Sequence, residues 1–470
     1  MTPNYERLSF FDNIFLVMEG PTNPMHIGAT LMFQLGDSVR GEGGGVDIAV
    51  VRAFIGARLQ YVPRYRQRLK WIPIERHPVW VDDEYFDLTY HVHHVALPHP
   101  GSMEQMLEMS RRFLSQRLDR ARPMWEVLVI EGLEDGRFAL VTKVHHCMID
   151  EIGGVDLLKV LLAPMPTTEI GEHDEFEPRP IPAAADLLID EAVRFLRFPP
   201  EAAKKVRKAR DTKEFADLLR HRLRAMTESA RSGWFVNASP TPLNQKIGPN
   251  RRLAHLTTAL DVAKAIKNGL GGTVDDVVIA AVAGAVRSFL IEDRSFDVAG
   301  LDFRAMVPVS IRDEEGVGAL GDQITMWLLD LPVAKSDPVE RYRAVVAVTG
   351  HRKKTDQALG AALLRRGASF TPSTVLTVAA RVAAATARPF NLTVTNVPGP
   401  QVPLYMLESR LERIFPMVPL WVNHGLGIAL FSYDGMLNWG FVADWDTVPD
   451  LDVFVTRVEA ALDELHKAAT

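Results

Sequence analysis

With one cysteine in 470 residues, Cys147, the chain has no intrachain disulfide framework, and a reducing compartment is expected. No run reaches the roughly 18 uncharged apolar residues that a membrane span needs. Val277 to Phe289 comes closest and is cut by Arg287. Met1 to Glu19 carries acidic Glu6 and Asp12 and lacks a charged-then-apolar targeting pattern. Excess positive charge is missing too: the formal net charge is -6, which argues against a dedicated nucleic-acid binder. No GxSxG stretch is present, so the usual serine hydrolase elbow is excluded. The glycine-rich run Gly41 to Gly45 lacks the lysine and following helix of a phosphate loop. Gly316 to Gly321 matches GxGxxG in letters only. Charged Arg312 to Glu315 precedes it and a strand-like run, Ile324 to Leu331, follows, whereas a dinucleotide fingerprint follows a strand and opens a helix.

What is present is a large apolar fraction, 47%, enough in 470 residues for a big core and two domains. The chain is organised around His145-His146-Cys147-Met148-Ile149-Asp150-Glu151. A strand-like run, Phe138 to Val144, leads in, and an apolar helical pattern (Val155, Leu158, Leu161, Leu162) begins near Gly153. Chemistry is often placed where a buried strand breaks into a loop. Neutral histidine, with a pKa near 6.5, suits removal of a proton from a hydroxyl. Successive strand residues point to opposite faces, so one histidine is expected to be the base and the other a structural partner. Asp150 is placed to order the loop, through backbone amides or an arginine. The plain alternative is two strand-end histidines and an N-cap aspartate. Cys147 next to His146 reads as a small core thiol rather than a nucleophile.

Before the motif, Ile27 to Leu35 reads as a central strand and Val50 to Leu59 as a helix. Phe86 to Val95 is expected to be a strand that places His91 and His93 on one face, a pair that needs a third ligand to hold metal. Met103 to Leu118 is an amphipathic helix stopped before Pro123. Trp125 to Glu131 and Phe138 to Val144 form a hairpin. After it comes a linker rich in Pro and acidic residues, then a basic helical stretch from Lys204 to Arg224, beside apolar Phe195, Leu196 and Phe198. That stretch is either a solvated connecting helix or a surface for anionic lipid. In the second half, Thr273 or Asp275 caps the apolar helix Val277 to Phe289. Pro338 to Val348, Ser373 to Ala387 and Val453 to Leu465 read as helices, and Leu392 to Asn396, Gly427 to Ser432 and Leu437 to Ala443 as strands. The last two strands join through Tyr433-Asp434-Gly435. Both halves therefore mix strands and helices, as two α/β domains would. The expected divisions are 1–163, a linker with the basic stretch over 164–240, and 241–470.

The histidine stretch resembles the HHxxxDG motif of acyl-CoA-dependent acyltransferases and condensation domains. Its surroundings resemble the bacterial wax ester synthase/diacylglycerol acyltransferase family. The likeness runs through Leu8 to Asn13, Pro24 to Gly28, Phe86 to Val92, Pro308 to Arg312, Asn396 to Pro400, Pro419-Leu420-Trp421 and Val442 to Asp444. It implies two chloramphenicol-acetyltransferase-like domains with a tunnel between them. His146 would then be the general base, with His145 and Asp150 completing the catalytic set. Thr395, Asn396 and Trp421 are candidate substrate contacts. Acyl-CoA would be a substrate, the acceptor a long-chain alcohol or diacylglycerol, and no cofactor or metal is implied. A cytoplasmic protein lying on a membrane or lipid-droplet surface is expected. Two departures stand out. The motif glycine is replaced by Glu151, which is expected to slow catalysis and raise the pKa of His146, and Asp275-Asp276 stands where the family usually has Asn-Asp. The rival readings are a catalytically weak lipid-binding relative and an HHxxxD acyltransferase with a non-lipid hydroxyl acceptor.

Overall fold

The computed structural model describes residues 4–148, 160–172, 175–193, 236–311, 323–355 and 388–470. Two six-stranded sheets dominate. The first runs in the order β12 (Tyr405–Met406), β13 (Ser409–Met417), β2 (His26–Gln34), β7 (Arg137–His145), β6 (Trp125–Leu133), β5 (Val92–Ala96). The second runs β10 (Gln323–Asp330), β9 (Arg304–Ile311), β11 (Leu392–Pro398), β14 (Leu426–Tyr433), β15 (Met436–Asp444), β8 (Arg251–Ala259). A small third sheet joins β1 (Glu6–Arg7), β4 (Pro78–Asp82) and β3 (Gln67–Trp71). The helices that concern the site are α1 (Phe10–Met18), α2 (Ile48–Arg58), α3 (Leu88–His91) and α4 (Met103–Ser115) in the first half. In the second half they are α5 (Leu260–Leu270), α6 (Val274–Ser288), α7 (Pro338–Thr355) and α8 (Leu451–Ala469). This is a mixed α/β architecture in two domains.

Local chemistry explains most of these elements. α1 starts at Ser9, whose hydroxyl accepts from the Asp12 amide at 3.1 Å. α6 starts with a reciprocal box: the Asp276 amide donates to Thr273 Oγ1, and Asp276 Oδ2 accepts from the Thr273 amide at 2.7 Å. Thr273 is therefore the cap, with Asp276 rather than Asp275 as its partner. The β14–β15 hairpin turns through Asp434 and Gly435, both at positive φ (45° and 77°), as a tight primed turn requires. β2 lies between β13 and β7, a central position that matches its apolar residues on both faces.

Phe86 to Val95 is not one strand. Asp87 caps a helical turn, α3, by accepting from the Thr89 amide at 2.9 Å, and only Val92–Ala96 is extended. His91 and His93 thus sit on different elements: His91 Nδ1 lies 2.8 Å from the Trp125 carbonyl, while His93 faces Glu126 at 3.6 Å. Alternating polarity looked like strand there because a capped turn of one cycle carries too few residues to show a helical period.

Sequence reading did not place the crossing of the second half into the first sheet. β13 pairs antiparallel with β2, from Leu411–Phe33 to Met417–Gly28. Its far side packs on the second sheet, where a Cβ at Gly440 would lie 1.8 Å from the Pro416 carbonyl oxygen. Only glycine allows the two sheets to approach so closely. Expected features that lie outside the described residues are the helix from Gly153, the basic stretch, Phe195 to Phe198, the GxGxxG letters and the helix Ser373 to Ala387.

Candidate active site

β7 ends at His145, and His146 opens a short 3-10 turn, His146–Met148. The strand therefore breaks between the two histidines, and their side chains go to different surroundings. Backbone bonds pin the break: the His145 amide donates to the Met124 carbonyl at 2.9 Å and the His146 amide to the Met25 carbonyl at 2.8 Å.

His146 is partly exposed, while its Nδ1 is sealed from solvent with no hydrogen-bond partner among the described residues. The Phe15 ring stacks on it, with centroids 3.7 Å apart and planes at 10°. Burial pushes its pKa down to about 4, so the ring is neutral at physiological pH and ready to accept a proton. The influence of Glu151 lies outside the described residues, as does the position of Asp150. The described surroundings lower the basicity of His146 rather than raise it.

His145 is buried, 1% exposed at its side chain, and its pKa is pushed down to about 3 by burial. Its Nδ1 accepts from the Cys147 amide at 3.1 Å, so in the neutral ring the proton is on Nε2. Nε2 faces Glu19 Oε1 at 3.8 Å, within ion-pair range and longer than a hydrogen bond.

Glu19, which sequence reasoning missed, is the hub of the buried charge. Its side chain is 1% exposed. Its two oxygens serve different partners. Oε2 takes Arg120, whose Nε lies at 3.0 Å, and Arg117 at 3.3 Å. Oε1 faces His145 and, at 3.5 Å, His26 Nε2. Burial alone would raise the carboxyl pKa, but the imidazoles and the Arg120 guanidinium outweigh it and hold Glu19 well below the usual carboxylate range. A signal was present in the sequence. Glu19 is the C-cap residue of α1, the end where the helix dipole disfavours an acid, so a compensating cation was to be expected. Phe15 and Glu19 are four residues apart and share a helix face, so α1 serves both histidines: Phe15 on His146, Glu19 toward His145.

Two residues before His145, Lys143 is fully buried. Its ammonium lies 3.0 Å from Glu126 and donates to the Phe113 and Gln116 carbonyls at the end of α4. Cys147 is buried, and burial raises its thiol well above the ordinary value, which disfavours the thiolate a nucleophile needs.

The other predicted contacts divide. Trp421 comes to the site through Phe15: the ring that stacks on His146 also meets Trp421, with centroids 6.1 Å apart and planes at 49°. Thr395 and Asn396 lie on β11 in the second sheet, and no hydrogen bond joins either to the histidines among the described residues. Asn396 Nδ2 instead donates to Asp275 at 2.6 Å. Asp276 is committed to α6 and to Thr349, whose hydroxyl donates to it at 2.6 Å. No group of three metal-ligating side chains occurs among the described residues.

Comparison with known proteins supplies the context for this geometry. The family profile described as "Wax ester synthase/diacylglycerol acyltransferase catalytic domain" matches residues 8–278, and that of the "WS/DGAT C-terminal domain" matches residues 320–466. A Mycobacterium tuberculosis protein named as a diacylglycerol O-acyltransferase is 34% identical over 98% of this chain and 90% of its own length. The solved wax ester synthase/diacylglycerol acyltransferase of Marinobacter aquaeolei VT8 is 27% identical, with a TM-score of 0.69 over 99% of each chain. The starter condensation domain of rhizomide synthetase, at 11% identity and a TM-score of 0.59 over 99% of this chain and 94% of its own, shares the fold. The two domains are thus chloramphenicol-acetyltransferase-like.

Proposed function

The chain belongs to the wax ester synthase/diacylglycerol acyltransferase family, and on that premise we infer an acyl-CoA-dependent O-acyltransferase that esterifies a long-chain alcohol or diacylglycerol with His146 as its general base. The observation that carries the site assignment is a neutral, partly exposed imidazole held at the broken end of a central strand. His146 takes the hydroxyl proton as the alcohol oxygen attacks the thioester carbonyl. The tetrahedral intermediate then collapses, the C–S bond breaks, and the imidazolium returns the proton to the departing thiolate. Both substrates meet in one site, so no acyl-enzyme and no cofactor is needed, and acyl-CoA is itself a substrate. Asp150 would order the loop that follows the histidines.

The oxyanion needs a donor. The Asn396 amide is already engaged by Asp275, so backbone amides and the Thr395 hydroxyl are the better candidates. Trp421, which meets the Phe15 ring at a tilt, would wall the substrate passage between the domains. The assay is acyl transfer from acyl-CoA, with products resolved by chromatography. Loss of ester product on His146→Ala, in a protein that stays folded, supports the reading; wild-type turnover in that variant overturns it.

No helix of the described residues is long and apolar enough to cross a membrane. Association with a membrane or droplet surface would then be peripheral, through the basic stretch Lys204 to Arg224 and the apolar residues before it. Flotation with anionic vesicles should show binding that weakens with salt; binding equal on neutral vesicles and indifferent to salt would remove the electrostatic part.

A further inference from the structure

Behind His146 lies a buried carboxylate that the reaction as written does not use. Among the described residues no hydrogen bond or ion pair joins Glu19 to His146, and the Glu19 side chain is 1% exposed. Its partners nonetheless form a directed chain. Arg120 and Arg117 hold Oε2 and keep the carboxylate ionised. Oε1 is left for the imidazoles, His26 Nε2 at 3.5 Å and His145 Nε2 at 3.8 Å. The Leu118 amide also reaches His26 Nε2, at 3.4 Å, and shares that nitrogen with Glu19. His145 Nδ1 accepts from the Cys147 amide, so its proton is on Nε2, facing Glu19.

The consequence reaches the base through the backbone. The Cys147 amide belongs to the 3-10 turn that begins with His146. With the proton on Nδ1, His145 would set one N–H against another and the turn would lose one of its anchors. A buried anion on the Nε2 side makes that tautomer unfavourable. We propose that Glu19 is a positioning residue that fixes the Nε2–H tautomer of His145 and, through His145 Nδ1 and the Cys147 amide, the turn that presents His146. The proposal rests on the reading of His146 as the base. The gap of 3.8 Å leaves room for Glu19 and His145 to close to hydrogen-bond length when substrate fills the site, as catalytic contacts do.

Glu19→Gln keeps the shape and removes the charge. The direct readout is the His145 tautomer, followed by long-range proton–nitrogen correlation in protein labelled with nitrogen-15 histidine and assigned by loss of the signal in His145→Gln. The parent should show a protonated Nε2 and a bare Nδ1, and Glu19→Gln should show mixed or reversed protonation. Its kcat should fall about 10- to 100-fold, as for a sub-ångström misplacement, with the KM for acyl-CoA within about twofold. In a His145→Gln background the same change should cost nothing further, because Glu19 acts through His145. Retention of the parent tautomer in Glu19→Gln overturns the proposal whatever the rate, and so do losses that add in the double variant. The tautomer is read without turnover, so failure of the His146 assignment, seen as activity in His146→Ala, remains distinguishable.

Discussion

Both six-stranded sheets bury ionisable groups, the second as the Arg251–Asp444 pair at 3.8 Å, but they differ in what their helices cover. Against the second sheet, every residue of α6 from Asp276 to Val286 is buried, and all but the capping Asp276 are aliphatic or glycine. α8 adds Phe454, edge-on to Phe289 with ring centroids 5.4 Å apart. The first sheet buries Lys143 and His145 on β7, His26 on β2, and the Glu19 side chain beside them. Ionisable groups in a dry interior are costly unless paired, and each of these has a charged group or carbonyl within reach. The helical cover of the second sheet is therefore built to be stable, and the first sheet gives up stability to hold neutral imidazoles around a buried carboxylate. Substitutions in the two sheets should fail in different ways.

The sharpest break in that contrast is His146→Ala. It should lower acyl transfer by about 10²- to 10⁴-fold, the usual contribution of a general base, while thermal unfolding moves little. Phe454→Ala should do the reverse. Removing a ring that is fully buried costs about 3 to 5 kcal/mol, read as a lower denaturation midpoint, while the fraction that stays folded keeps its KM. If Phe454→Ala changed KM and left stability alone, the division of labour would be wrong.

Acid should expose the weakness of the first sheet. The pKa of His145 is about 3 in the folded protein and near 6.5 when unfolded, so the unfolded chain binds the extra proton first. Its contribution to stability is complete above about pH 6.5 and is lost as pH falls toward 3, by about 1.4 kcal/mol per unit at the steepest. Denaturation midpoints measured from pH 7 to 4 should fall, and His145→Gln should flatten that slope. An unchanged slope would mean that other groups govern acid unfolding. The smallest effect is expected at Asn396→Ala. Its amide is tied to Asp275, so about 0.5–1.5 kcal/mol of stability should go and kcat should change by less than about tenfold. A loss of about 10²-fold or more would make Asn396 an oxyanion donor after all.

Much of this was legible because it is local. The strand before His145, the apolar α6 and the Asp434-Gly435 turn each announce themselves within a dozen residues, through period, cap or turn chemistry. Trp421 came through family likeness, and its tilted contact with the Phe15 ring gives it a place. What stayed hidden depends on distance along the chain. Glu19 meets His145 from 126 residues away and Arg120 from 101, and an acid at a helix C-terminus calls for a cation without saying which. The pairing of β13 with β2 was hidden for the same reason, since alternation marks a strand without naming its neighbour. The turn at Leu88–His91 failed differently, because a helix of four residues is too short to show its period.

The crossing strand also bears on how the protein is made. β2 forms early in synthesis, but its partner β13 is far downstream; the nearby bond from the Gly36 amide to Ser409 Oγ spans 373 residues. At about 5–20 residues per second, translation leaves the β2 edge unpaired for roughly 20 to 75 s. For that interval the nascent first half carries an open, apolar strand edge, the kind of surface that recruits other chains. Chaperone demand during expression should therefore fall on the first half, and a protein truncated before Ser409 should aggregate through β2, even though every catalytic residue is already present.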